Sequence, residues 1–343
     1  MNRQRLENKG SGFVLIAVLL MIAVLAVIIL EFNYESRVRL HLADNFHQAA
    51  KALNYAEAGI AISMAALGQN DDILIDEQLS PFFTGMVQIP IEEGYCTMSI
   101  TDETGKININ SLSASSGPPV RQRLDQMLRL VDILNSQSGE DSLVSYSLIP
   151  AIIDWIDPDD DVTYLSFVTR ENTGAENDYY QNLAEPYQCK NAPFDVLGEL
   201  MLVKGMTIEI FEGRPGDESK DIKPFSGIQP YLTVYGDGKI NINEASVTVI
   251  QSLSERIDYA LAQNIVEQRK ISQYSSIEQL REIPGMTPEV YSAIRGLVTV
   301  RSRGNYYTLN VTGVSGQFEQ RVKVLLKRDE NTAQITPVLR QEL

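Results

Sequence analysis

The sequence predicts an α+β fold in which a long N-terminal helix packs on an antiparallel sheet and a large α-helical domain is inserted. Three observations support this prediction. An apolar run of eighteen residues continues into helical periodicity, segments alternating apolar and polar residues lie around 94–101 and 306–328, and two motifs between them each occur twice. The duplication indicates that the inserted domain has two similar halves.

The predicted N-terminal helix begins with the run "FVLIAVLLMIAVLAVIIL", Phe13–Leu30, in which no side chain is polar. As a helix this run would be about 27 Å long, close to the hydrocarbon thickness of a bilayer. Basic residues precede it and Glu31 follows, so the positive-inside tendency places residue 31 onward outside the cytoplasm. Apolar residues continue beyond this run at helical spacing, at Val38, Leu42, Ala49, Leu53, Ala56, Ile60 and Leu67. The helix is predicted to end near Gly68. We therefore expect one continuous helix rather than a cleaved secretory signal, although a plain signal anchor would share the apolar run.

The hexapeptide "GKININ" occurs at Gly105–Asn110 and again at Gly238–Asn243. Each copy follows an alternating segment and is typical of a short strand, and Asn110 or Ser111 and Asn243 have side chains that favour capping a following helix. A phosphate loop would need a glycine five positions earlier and Ser or Thr after the lysine, and neither copy has them. The repeat therefore predicts duplicated architecture.

A second duplication lies downstream, where "ELMLVKGMTIEIF" at Glu199–Phe211 aligns without gaps with "QLREIPGMTPEVY" at Gln279–Tyr291. Each copy reads as a helix end, a Gly-Met-Thr turn and a second helix start, which predicts a helix-hairpin-helix unit. Such units often bind DNA through amides of a Gly-x-Gly turn. Here Thr207 and Thr287 replace the second glycine and Pro288 removes a donor, so we expect protein packing instead.

Composition excludes several function classes. The formal charge of −16, with a sequence pI near 4.6, argues against a nucleic-acid partner. The chain has two histidines, His41 and His47, and two cysteines, so a Cys/His zinc site cannot be assembled and a His-dependent nucleophile is disfavoured. We expect no enzyme.

An acidic insertion distinguishes the first half of the helical domain. Between Asp154 and Asp178 there are eight acidic side chains and one basic side chain, Arg170. Dense carboxylates repel one another unless water or a cation screens them, and hard oxygen ligands suit Ca²⁺. A solvated acidic loop and a catalytic carboxylate pair are the alternatives, and the spacing fits no EF-hand. The best candidate ligands are Asp159, Asp161, Glu176 and Asp178, with Asp157 and Asn177 behind them.

The C-terminal segments "NYYTLNVTGV" and "FEQRVKVLLKR" alternate around a Ser-Gly pair and predict an antiparallel hairpin beside the strand at 94–101. Two sets of residues would each share a face: Tyr307, Leu309 and Val311, and Val322, Val324 and Leu326. Residues after Asp329 are predicted to be disordered. Cys96 and Cys189 could form one disulfide in an oxidising compartment, and the sequence leaves both states open.

The basic leader ending in Gly12, followed by Phe13 and a continuous apolar helix, resembles the class III signal of type IV pilins and pseudopilins. The resemblance implies that a prepilin peptidase cuts between Gly12 and Phe13 and methylates the new N terminus. The fifth mature residue of that family is usually Glu and here is Ala17, which would suit a subunit with no neighbour above it.

The internal motifs "DETGKININSL", "IIDWIDPDDD", "GAENDYY", "PFDVLGELMLVKGM" and "GDGKININEAS" together resemble the general secretion pathway protein K family of type II secretion minor pseudopilins. The resemblance runs from Lys9 to about Asp329. It implies a pilin-like body interrupted by a helical domain with two SAM-like halves, calcium in that domain, and a tip complex with I- and J-type minor pseudopilins. It also implies a single-pass inner-membrane protein with its C-terminal part in the periplasm.

The predicted function is thus a minor pseudopilin at the pseudopilus tip that helps initiate assembly for protein export, linked to the major pseudopilin through its I- and J-type partners. A type IV pilus minor pilin and a membrane-anchored periplasmic calcium-binding protein are the alternatives. The predicted divisions are a leader at 1–12, a stem helix at 13–68, a β part at 69–111, a first helical unit with the acidic insertion at 112–230, a second helical unit at 231–300, a β-hairpin at 301–328 and a disordered tail at 329–343.

Overall fold

The computed structural model describes residues 11–69, 85–112, 120–139, 142–166, 172–217, 219, 222–300, 306–329 and 332–342. Most of the predicted leader, residues 1–10, and most of the segment between the stem and the first strand lie outside the described residues. The described part contains a pilin-like body and a helical domain, as the sequence predicts.

The stem is one helix, α1, which runs from Ser11 to Gln69 and confirms the predicted continuity. Its segment Phe13–Gly68 is long and apolar enough to cross a membrane, with a window of mean hydropathy 3.5 that has no buried residue. The same helix buries Ala56, Ile60 and Leu67 farther along, against the sheet. Val38 and Leu42, although in phase with this face, are exposed.

The body is a five-stranded antiparallel sheet, and α1 packs on one of its faces. In their order across the sheet, the strands are β1 Val87–Ile91, β2 Gly94–Asp102, β7 Tyr306–Ser315, β8 Phe318–Arg328 and β9 Ile335–Glu342. Both predicted faces of the β7–β8 hairpin are buried in this core, which confirms the alternation. Gly313 in β7 lets the backbones of sheet and helix meet, since a Cβ there would lie 2.0 Å from the Ala52 carbonyl oxygen.

The predicted disordered tail is wrong, because residues 335–342 form β9 and pair antiparallel with β8. Arg340 in this strand also forms an ion pair with Glu57 on α1, 2.5 Å apart. Most side chains of β9 are exposed, so the strand exists through pairing with a sheet edge rather than through burial of its own residues.

The helical domain leaves the body after β2 and returns at β7. Its elements are β3 Ile107–Asn108, α2 Val120–Ser138, α3 Leu148–Ile156, α4 Asn177–Gln181, α5 Ile208–Glu212, β4 Leu232–Thr233, β5 Ile240–Asn241, α6 Val247–Ser252, α7 Tyr259–Ile271, α8 Pro288–Ile294 and β6 Val298–Thr299. In each unit the GKININ strand pairs in parallel with a strand after the hairpin, β3 with β4 and β5 with β6. The pairing of β3 with β4 joins the two ends of the first unit.

The predicted helix caps within GKININ are wrong. The cap of α6 is Ser246, whose hydroxyl accepts from the Val249 N–H, and not Asn243. Asn243 instead donates to the carbonyls of Tyr274 and Val300 and accepts from the Tyr274 N–H, each at 2.9 Å. The equivalent residue of the first copy makes the same three kinds of bond.

That residue is Asn110, which donates to the carbonyls of Phe194 (3.0 Å) and Val234 (3.1 Å) and accepts from the Phe194 N–H (2.8 Å). In both units this asparagine therefore ties the GKININ strand to the segment before the hairpin and to the closing strand. The GKININ motif occurs twice because both units use the same set of three asparagine hydrogen bonds.

The two hairpins are confirmed. In the first unit a 3₁₀ turn at Leu197–Leu202 precedes Gly205, whose φ is 84°. In the second unit a 3₁₀ turn at Ile277–Glu282 precedes Gly285, whose φ is 95°. The hydroxyls of Thr207 and Thr287 then accept from the N–H groups of Ile210 and Val290, the third residues of α5 and α8, as N-caps.

Candidate metal centre

The acidic insertion is anchored on α3, which buries the face that carries Asp154 and Trp155. The helix ends where the Asp157 N–H bonds to the Ile153 carbonyl and Pro158 follows. The ring of Trp155 packs edge-on against Tyr180, with centroids 5.3 Å apart, and stacks on Phe194 at 6.3 Å. The end of α3 is thus fixed in the core of the first unit.

The chain then returns to this helix end. The N–H of Leu165 bonds to the Asn172 carbonyl (3.2 Å) and that of Gly174 to the Thr163 carbonyl (3.0 Å). Gly174 passes so close to α3 that a Cβ would lie 2.0 Å from Asp154 Oδ2. This close passage brings Glu176 back to the carboxylates that follow α3.

Three carboxylates meet at this point. Asp157, Asp159 and Glu176 each place an oxygen so that all three lie within 4.8 Å of one another. Glu176 is only 3% exposed, Asp157 is half-buried and Asp159 faces solvent. Geometry of this kind, open on one side, leaves room for water to complete a coordination shell.

The buried oxygens here lack hydrogen-bond donors. Both carboxylate oxygens of Glu176, Asp157 Oδ1, Asp154 Oδ2 and Asn191 Oδ1 are buried without a partner. A buried unpaired acceptor costs about 1–3 kcal/mol, and more when it is charged. Asp157 and Glu176, which hold three of these oxygens, belong to the three-carboxylate cluster, where a bound cation would satisfy them.

The electrostatics agree with that interpretation. Burial, and then the neighbouring Asp154 and Asp157, raises the pKa of Glu176 to about 7. Burial, and then Asp159 and Asp154, raises the pKa of Asp157 to about 6. Burial also raises the pKa of Asp154. Without a cation these groups resist ionisation, and a divalent cation would reverse that tendency.

Three of the six ligand candidates lie outside the cluster. Asp161 donates its backbone N–H to Asp159 Oδ1 at 3.0 Å, which shapes the loop. Asn177 Oδ1 accepts from the Cys189 N–H at 3.2 Å, and Asp178 lies exposed in the first turn of α4. Sequence spacing alone cannot separate them from the members of the cluster.

Two residues that the sequence did not nominate border the cluster. Asp154 accepts from the Thr163 N–H (2.9 Å) through Oδ1 and leaves Oδ2 without a donor. Asn191 donates to the Asp159 carbonyl (3.0 Å) and to Asp160 Oδ1 (3.2 Å), with a backbone φ of 49°. Asp154 could have been found as a charge on the buried face of an apolar helix, whereas Asn191 carries no local signal.

The two cysteines lie in different parts of the structure. Both thiols are free, with Cys96 in the core of the body and Cys189 packed against the core of the helical domain. Cys189 Sγ lies 3.6 Å from the Asp154 carbonyl oxygen, and burial raises the pKa of this thiol to about 11, which disfavours the thiolate.

Comparisons with known families match both units of the helical domain. The family described as "Type II secretion system (T2SS), protein K" matches residues 105–213, and the family described as "Helix-hairpin-helix motif" matches residues 236–299. These two ranges begin at or next to the two GKININ copies.

Relatives extend over nearly the whole chain. A putative type II secretion system protein K of Escherichia coli K12 is 21% identical over 96% of this chain and 98% of its own length. The type II secretion system protein K of Klebsiella pneumoniae is 21% identical over 92% of each chain. Among solved structures, a chain from the GspK-GspI-GspJ complex of the enterotoxigenic Escherichia coli type 2 secretion system is 18% identical, with a TM-score of 0.61 over 89% of this chain and 99% of that one. The last match shows a shared fold.

Proposed function

We infer that this chain is a member of the type II secretion system protein K family and acts as a minor pseudopilin at the tip of the pseudopilus. In this role it helps to start assembly and works by packing rather than by catalysis. Its partners are the I- and J-type minor pseudopilins, by analogy with the related complex, and the major pseudopilin through them.

The continuity of α1 carries this proposal. The helix runs unbroken from its exposed apolar half, Phe13–Leu30, into the core of the body. A cut between Gly12 and Phe13 would leave that helix intact as an assembly stem. A cut near residue 30, as for a secretory signal, would divide it.

The stem also supports the location. Before assembly, the apolar half would cross the inner membrane with the basic leader in the cytoplasm and the body in the periplasm. Ala17, without the usual carboxylate, leaves no group to neutralise the amine of a subunit above, which suits the end of a filament.

We further propose that the acidic insertion binds Ca²⁺ through Asp157, Asp159 and Glu176, with Asp154 and Asn191 supporting them. The oxygens without donors and the hard-ligand chemistry support this assignment. Such an ion would tie the end of α3 to the segment before α4 and would lock the Trp155 cluster. Calorimetric titration of the chelator-treated chain with CaCl₂ tests it, and absence of binding heat would exclude the site.

Intact mass and N-terminal sequencing of the protein from membranes of its own host test the proposed role. A chain that starts at methylated Phe13 is expected. A chain that starts at Met1 or near residue 30 would contradict it and favour an anchored calcium-binding protein. Copurification with I- and J-type pseudopilins rather than with pilus subunits then separates secretion from a type IV pilus.

A further inference from the structure

Each GKININ copy packs against the residue that follows the other copy. A Cβ at Gly105, the first residue of the first copy, would lie 2.8 Å from the Glu244 carbonyl carbon. A Cβ at Gly238, the first residue of the second copy, would lie 3.1 Å from the Ser111 Cβ. Ser111 and Glu244 are equivalent, since each directly follows the last asparagine of its copy. The contacts are thus reciprocal, and Ser111 shows that this packing does not require an acidic side chain.

The contact between Gly105 and Glu244 lies where the helical domain joins the body. Gly105 ends a short 3₁₀ turn that begins at Glu103 and follows directly after β2. The buried Glu103 carboxylate accepts from the Thr308 hydroxyl of β7 and from the Lys106 ammonium, both at 2.6 Å. The turn therefore contacts the sheet on one side and the second helical unit, through Glu244, on the other.

Charged groups from two further elements act on the Glu244 carboxyl group. Asp102, at the end of β2, is only 3% exposed, and its carboxylate repels a negative charge on Glu244. Arg269 in α7 offsets part of this repulsion, while its Nη1 donates to the carbonyls of Ile242 and Ala245 at 2.6 and 2.7 Å. Burial, followed by the repulsion from Asp102, raises the pKa of Glu244 to about 8. We call Asp102, Gly105, Glu244 and Arg269 the Glu244 junction.

We propose that Glu244 makes the attachment of the helical domain to the body sensitive to pH. As a neutral acid it permits the close packing at Gly105, whereas as a carboxylate it places a second negative charge near Asp102 and loosens that packing. This proposal goes beyond the inferred pseudopilin role and does not depend on it, because neither assembly nor leader processing enters the argument.

The direction of the effect follows from linkage. In an opened junction Glu244 would ionise with its ordinary pKa of 4.5, whereas in the closed junction its pKa is about 8. The closed junction is therefore most stable below pH 4.5 and loses this stability as pH rises through about 8. Within this range the opening constant should rise by up to about tenfold for each pH unit.

Hydrogen exchange of the full chain in nanodiscs measures this opening. Exchange rates at pH 5.5 and pH 7.5, each divided by the intrinsic rate at that pH, give opening constants for peptides that cover 103–110 and 240–246. These constants should rise by at least about tenfold between the two pH values. Peptides from 87–98 report on the body away from Asp102, and their opening constants should change by less than about threefold.

Three kinds of variant separate charge from shape. Glu244→Gln keeps the size of the side chain without its charge, and Glu244→Ser copies the equivalent Ser111; in both, the opening constants at the two pH values should agree. Asp102→Asn removes the like charge, keeps an acceptor for the Thr104 N–H, and should reduce the rise. Glu255→Gln is the matched control, since Glu255 is an exposed carboxylate of the same unit, and should behave as the wild type.

Three results would overturn the proposal. The first is a wild-type opening constant that does not change between pH 5.5 and pH 7.5. The second is a rise that persists in both Glu244 variants, because another group would then be the one that titrates. The third is an equal rise in residues 87–98, which would assign the effect to unfolding of the whole body.

Discussion

Replacing Glu176 by Gln probes the candidate metal centre most directly, because the change removes the buried charge and keeps the shape. The Glu176 carboxylate is 3% exposed and neither of its oxygens has a donor. In the chelator-treated chain the neutral amide should therefore be more stable than the carboxylate. With Ca²⁺ bound, this difference in stability between the variant and the wild type should shrink or change sign, because the ion interacts better with the carboxylate.

The magnitude follows from the pKa of Glu176, which rises from 4.5 to about 7 on folding without a cation. A raised pKa means that the folded state prefers the protonated acid, so this stability is complete below pH 4.5 and is lost as pH rises through about 7. Above that pH the loss amounts to about 3 kcal/mol. In a domain of 150–250 residues this corresponds to a fall in Tm of about 6–12 °C.

The chain's one tryptophan, Trp155, reports on this region because it packs between α3 and Tyr180. Thermal unfolding of the full chain in detergent, followed by tryptophan fluorescence between pH 5 and 8, should show a steep loss of stability in chelator. The decrease in Tm with rising pH should be smaller when CaCl₂ is present. It should also be smaller for the Glu176→Gln variant in chelator.

Asp178→Asn is the matched control, since Asp178 is acidic, close in sequence and exposed outside the cluster. Its curves should follow those of the wild type. If Glu176→Gln destabilises the chelator-treated chain at pH 8, the carboxylate has a partner in solution and the electrostatic argument is refuted.

Three further predictions concern the fold. Asn243→Ala removes three buried hydrogen bonds and should lower the free energy of unfolding of the helical domain by about 3 kcal/mol, measured by urea denaturation. A decrease of less than about 1 kcal/mol would show that these bonds contribute little. Gly313→Ala drives a methyl group into the Ala52 carbonyl and should cost the body about 1–3 kcal/mol, while the tryptophan transition stays in place. Deleting residues 335–343 should speed hydrogen exchange of β8 amides but not of β2 amides, and unchanged β8 rates would show that β9 is not paired in solution.

The sequence predicted the body well because its signals are local. The alternation of apolar and polar residues in β7 and β8 and the helical periodicity in α1 each predict which side chains face the core. These side chains are buried in the structure. The tail was missed because "ITPVLRQE" contains a proline and charged residues and buries little. Its strand depends on the unpaired edge of β8, which no local pattern reveals.

For the candidate site, the sequence indicated the segment but not the cluster. Crowded carboxylates mark a loop that needs screening, yet only the return of the chain at Gly174 decides that Glu176 meets Asp157 and Asp159. Asn191 joins from a distant segment through bonds to the Asp159 carbonyl and Asp160, a tertiary contact that spacing cannot supply. Asn110 and Asn243 were misread as caps for the same reason, because their partners are remote backbone groups.

The position of the helical domain in the sheet has a consequence for how the chain folds. β2 and β7 are antiparallel neighbours, with Asp102 opposite Tyr307, so the entire domain occupies the place of a hairpin turn. Closing so long a loop costs conformational entropy when the loop is unfolded. A helical domain that has already folded presents its two ends side by side and removes most of that cost. The domain should therefore fold first and act as the turn on which the sheet of the body is completed, since β7 and β8 are also the later segments to be synthesised.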